Sequence, residues 1–85
     1  MDAGNIMLEI LSPDKTVFRG EVTRIYIPGK KAPFVILYNH APIMSVLDKG
    51  FVEWDSEAGR ERILVDGGFL ETRNNYVTIC IDTVK

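Results

Sequence analysis

Apolar and polar positions alternate with a period of two along most of the chain, in runs cut short by turn residues. Ile6, Leu8 and Ile10 alternate with Met7, Glu9 and Leu11, the pattern of a strand with one buried face. Ser12-Pro13-Asp14-Lys15 predicts a turn, Pro13 presetting its φ angle. Thr16-Val17-Phe18 predicts a short strand ended by Gly20, and Val22 to Ile27 a longer one. In that second run Val22, Ile25 and Ile27 slip by one from strict alternation, which places a bulge or bend near Thr23-Arg24. Pro28-Gly29 closes the run. Further extended pieces are predicted at Phe34–Leu37, Ile43–Leu47, Phe51–Asp55, Arg60–Asp66, Phe69–Arg73 and through Val77, Ile79 and Ile81. The intervening turns are Tyr38 to Pro42, Asp48-Lys49-Gly50, Ser56 to Gly59, Gly67-Gly68 and Asn74-Asn75. Nowhere do apolar residues recur at helical spacing over three turns. The fold class is therefore all-β, a small sandwich or flattened barrel of about eight to ten strands, formed by residues 1–85 as a single domain.

Size changes this picture. A domain of 85 residues buries a modest share of its surface and has a thin stability margin. Small domains make up the difference with disulfides, a metal or a partner. Cys80 is the sole cysteine and His40 the sole histidine, so no internal disulfide and no structural metal is expected, and no cofactor. A protein partner remains. The net charge of −2 is too mild for nucleic acid or an anionic membrane as the main ligand. No run approaches the length of a membrane span, and Met1-Asp2-Ala3-Gly4-Asn5 does not open a signal peptide, so direct membrane insertion is not expected.

The candidate chemistry is sparse. His40 has no nucleophile in an elbow motif to activate, and fits better as the anchor of its own turn or as a protein contact. Gly29-Lys30 lacks the rest of a phosphate loop, and Gly67-Gly68 reads as a tight crossover. Cys80, between Ile79 and Ile81, reads as a structural thiol. Arg60 and Arg62 alternate with Glu61, which suits a solvated edge strand better than a base-stacking face. Trp54 is expected in the core or in hairpin packing. The positive signal lies elsewhere: Phe34, Val35, Ile36, Leu37, Tyr38, Ile43 and Met44 crowd one short stretch, and a thin sandwich cannot bury all of them. Apolar residues left outside mark a docking surface.

The same stretch carries a family resemblance. Pro28-Gly29 followed by Phe34-Val35-Ile36-Leu37 and Asn39-His40-Ala41-Pro42 resembles the epsilon subunit of F-type ATP synthases. Ser12-Pro13 with Phe18-x-Gly20-Glu21-Val22, then Gly67-Gly68-Phe69-Leu70-Glu71, then Asn75-x-Val77-Thr78 with Asp82 extend the likeness in order over residues 6–82. The resemblance implies a sandwich of about ten strands in the central rotor stalk, non-catalytic, peripheral at the cytoplasmic face of the energy-coupling membrane. It implies two partners, the gamma subunit and the c-ring. By position, Lys30, Lys31, Ala32, Pro33 and Phe34 match the loop that meets the c-ring, and His40, Met44 and Ser45 match the stretch facing gamma.

Three departures stand out. The family's ring-facing loop usually has more glycines and an acidic residue, where this chain has Lys30, Lys31, Ala32-Pro33 and Val35. Tyr38 stands where proline is common. Family members often continue into a pair of C-terminal helices, and the sequence stops at Lys85, so neither ATP binding nor helical-arm inhibition is expected of these residues. The competing readings are a small ligand- or nucleic-acid-binding β-barrel, which predicts an internal pocket or an aromatic–basic face, and an enzyme built on His40.

Overall fold

The computed structural model describes residues 4–82. Met1–Ala3 and the end at Lys85, on which the expectations about leader and C-terminal arm rest, lie outside the described residues.

Among the described residues nine strands form: β1 (Ile6–Leu11), β2 (Thr16–Val22), β3 (Arg24–Ile27), β4 (Phe34–Ile36), β5 (Ile43–Leu47), β6 (Gly50–Ser56), β7 (Gly59–Val65), β8 (Gly68–Arg73) and β9 (Tyr76–Ile81). They make two packed sheets, of order β2-β1-β9-β8-β5 and β4-β3-β6-β7. Every pairing between named strands is antiparallel except β1 with β9, which run parallel at the centre of the first sheet.

The alternation read from the sequence decides what is inside. Ile6, Leu8 and Ile10 of β1, Val52 and Trp54 of β6, Leu70 of β8, and Val77, Ile79 and Ile81 of β9 all turn into the core. Each fully buried aliphatic side chain contributes about 1.5–3 kcal/mol. Trp54 is buried, its ring tilted 40° against Phe18 with centroids 4.6 Å apart.

The chain passes between the sheets at several corners, and two of them position the site. At the first, the chain bends at Thr23 and passes from β2 in one sheet to β3 in the other. Thr23 N–H and its hydroxyl both donate to the Asp55 carbonyl, at 2.8 and 3.2 Å. The slip in the apolar period marks this corner. The strand break expected at Gly20 is absent: Gly20 pairs with Leu8 in an unbroken β2, because its backbone is ordinary extended chain. At the second corner, Gly29 bridges to Leu47, Lys30 N–H donates to the Val46 carbonyl at 2.9 Å, and Asp48 N–H donates to the Pro28 carbonyl at 2.8 Å. This stitch ties the end of β3 to β5, so the sandwich is partly closed like a flattened barrel. A Cβ on Gly29 would lie 2.5 Å from the Ala32 carbonyl oxygen and 2.8 Å from the Phe34 ring, so only glycine allows the loop to fold back here.

Candidate docking site

The Lys30–Pro33 loop leaves the stitched corner and returns as β4, with Pro33 biasing Ala32 toward extended backbone. Phe34 opens β4 opposite Ile27 and lies half-buried against the core. Across the open edge of the sandwich runs β5. There Ile43 is half-buried against the core and Leu47 is buried, while Met44 and Val46 point outward, 74% and 56% exposed.

Loop and strand enclose a groove of about 630 Å³. Its walls are Lys30, Lys31, Ala32, Pro33 and Phe34 on one side and Ile43, Met44, Ser45 and Val46 on the other. The two stretches that the resemblance assigns to different partners thus share one concavity, apart from His40. His40 sits beyond the other end of β5, in the turn before Pro42. Its N–H donates to the Leu37 carbonyl at 3.1 Å, and Nδ1 lies 2.7 Å from the Ala41 carbonyl, an acceptor, so Nδ1 carries the proton. That turn is clasped to the β8–β9 hairpin. Asn39 N–H donates to Asn75 Oδ1 at 2.6 Å, and Asn75 Nδ2 donates to Asn39 Oδ1 at 3.1 Å.

The apolar wall continues beyond the groove. Val46 pairs with Phe69 of β8, which is 50% exposed, and Phe69 pairs with the half-buried Cys80 of β9. Val46 and Phe69 were not singled out in the sequence. Their signal was present, since Leu47 and Leu70 face inward and their neighbours must face outward. The crowded stretch divides as the sandwich thickness demands: Ile36 is buried, Phe34 and Ile43 are half-buried, and Val35, Leu37, Tyr38 and Met44 are exposed.

The outer face of the other sheet differs in kind. A second, apolar hollow of about 350 Å³ lies between Tyr26, Pro28, Pro33, Phe34, Val35 and Phe51. Beside it, guanidinium groups cover the aromatic rings, Arg60 at 4.7 Å over Tyr26 and Arg62 at 4.1 Å over Phe51. Arg60 also holds Asp55 through Nε–Oδ1 at 2.7 Å and Nη2–Oδ2 at 3.2 Å, and approaches Glu53 at 3.9 Å. The hydrogen bond from Arg60 holds the Asp55 carboxyl below the usual carboxylate range, and Asp55 in turn raises the Arg60 guanidinium. This is the aromatic–basic face that a nucleic-acid binder would need. Here guanidinium groups lie over both rings, and Glu53 and Asp55 offset most of the charge of Arg24, Arg60 and Arg62, so the face offers no free stacking platform. The most exposed apolar side chains, Met44, Val46 and Phe69, lie instead on the β5–β8 side.

Fold and site together define a small β-sandwich with a grooved edge and an uncovered apolar strip. The chain belongs to the ATP synthase Delta/Epsilon chain β-sandwich domain family, which it matches over residues 5–85. It is 37% identical over 82 residues to the ATP synthase epsilon chain of Leptospira borgpetersenii serovar Hardjo-bovis (strain JB197), covering 96% of this chain and 65% of that protein. It is 34% identical over 84 residues to the ATP synthase epsilon chain of Desulfatibacillum aliphaticivorans, covering 98% of this chain and 60% of that one. The chain thus spans less than two thirds of the length of these relatives. The fold also superposes on a chain of the Euglena gracilis mitochondrial ATP synthase, in a cryo-EM structure of OSCP, F1 and c-ring in rotational state 1. The TM-score is 0.89 at 22% identity, over 100% of this chain and 54% of that one.

Proposed function

We propose that this chain is the β-sandwich of a non-catalytic central-stalk subunit in an F-type ATP synthase. In this reading it docks the gamma subunit to the c-ring, couples ion-driven rotation to ATP synthesis, and sits peripherally at the cytoplasmic face of the energy-coupling membrane. One observation carries the reading: the groove between the Lys30–Phe34 loop and β5 runs into an uncovered strip of Met44, Val46 and Phe69. Apolar side chains massed this way on a small domain are stabilised by a second protein surface. Membership of the epsilon-chain family favours the gamma subunit and the c-ring as that surface. In this reading Lys30, Lys31, Ala32, Pro33 and Phe34 meet the c-ring, and His40, Met44 and Ser45 face gamma, with His40 reaching it from the turn before β5.

The test is reconstitution with the matching gamma subunit. A stable one-to-one complex on gel filtration is expected, and Met44→Asp is expected to weaken it by about tenfold or more while leaving the melting temperature of the free domain unchanged. No complex with the cognate gamma would refute the assignment.

A further inference from the structure

The groove at the sandwich edge has a charge as well as a shape. Lys30 and Lys31 stand exposed on its rim, and neither makes an ion pair among the described residues. No carboxylate lines the groove. Glu71, opposite Met44 on β8, lies outside the groove in an adjoining shallow hollow, which has Ile43 and Met44 in common with the groove and places Glu71 beside Arg73. Asp48, on the turn after β5, accepts a hydrogen bond from the Lys49 N–H at 2.9 Å and so serves its own turn. Below the rim, Phe34 and Ile43 form a floor of half-buried apolar atoms that the core does not cover. Two unpaired ammonium groups over an apolar floor match an extended segment that places an apolar side chain on the floor and carboxylates against the rim.

We propose that the partner segment seated in this groove is acidic: a polypeptide stretch with an apolar anchor flanked by Asp or Glu. This rests on the docking function proposed above and adds the chemistry of the surface that fills the groove. A basic or neutral segment would leave both ammonium groups without a counter-charge at the contact, and like charge across an interface is strongly unfavourable.

The test measures association of the chain with a purified gamma–c-ring subcomplex from the same source, at low and at high salt. Three proteins are compared: the unaltered chain, Lys30→Glu/Lys31→Glu, and Met44→Asp. The lysine double variant is expected to bind on the order of tenfold more weakly at low salt, mainly through a slower association rate, and to lose most of the salt dependence. Both changes lie on exposed positions, so circular dichroism and melting of the free domain should match the unaltered chain. Should Met44→Asp weaken binding while the lysine variant binds equally well or more tightly, the acidic-partner inference is overturned and the docking reading survives. Should neither variant alter binding, or the unaltered chain not bind, the docking reading itself falls, and this inference with it.

Discussion

At the scale of single residues, the backbone sets the sharpest constraints. Gly68 has φ of +143°, and a Cβ there would run into the Cys80 carbonyl of the neighbouring strand. Gly59 has φ of +111° but open space around it. Gly68→Ala is therefore expected to cost about 3 kcal/mol or more in a urea titration, and Gly59→Ala about 1 kcal/mol. Equal losses would contradict the steric account. Asp55 gives a pH-dependent prediction. Its folded-state affinity for a proton is depressed, chiefly by the Arg60 hydrogen bond, so the unfolded chain binds the proton more readily. The contribution is therefore present above the ordinary carboxylate range and is lost as pH falls toward and through the depressed folded value. The melting-temperature gap between the unaltered chain and Asp55→Asn is expected to close in acid, and a gap that widened in acid would reverse the sign. Some of this scale was legible beforehand. The pair Gly67-Gly68 announced a tight crossover, and the lone tryptophan announced core packing. The cover that Arg60 and Arg62 give to Tyr26 and Phe51 was not, because it depends on which strands become neighbours.

At the scale of elements, alternation told which side chains share a face, and the buried rows of β1, β6, β8 and β9 follow it. It was silent on pairing. That β1 lies parallel to β9 and that β5 ends one sheet while β4 ends the other are products of non-local packing. This is why Lys30–Phe34 and Met44–Ser45, read as two contact stretches, emerge as walls of one groove, with His40 set apart by the length of β5. The clasp between Asn39 and Asn75 was equally invisible, since it links two turns 36 positions apart. Both residues have positive φ, 65° and 61°. Asn75→Gly keeps that backbone accessible and removes only the side-chain hydrogen bonds. It is expected to cost about 1 kcal/mol, with faster amide exchange in the turn around His40. Exchange that stayed unchanged there would show that the turn is held by other means. Trp54 offers a further check: its Nε1–H is buried without a hydrogen-bond partner. Trp54→Phe removes an unsatisfied donor along with ring volume. It is expected to cost less than the about 3–5 kcal/mol of a full aromatic truncation.

At the scale of the whole molecule, the shortest principal extent is 18 Å, so each sheet presents its outer face to whatever surrounds it. The two outer faces have resolved this differently. One is laced by arginines and carboxylates over its rings, with Val35 and Phe51 still partly exposed beside a small apolar hollow. The other carries Met44, Val46 and Phe69 in the open, continuous with the groove. The account stands on that second face being covered in the assembled complex. Oxidative footprinting of Met44 measures it most directly, because a thioether 74% exposed in the free chain oxidises readily. On assembly with the gamma–c-ring subcomplex, Met44 oxidation is expected to slow at least several-fold relative to the free chain under the same oxidant dose. Equal oxidation of Met44 in the free and assembled chain would contradict the account.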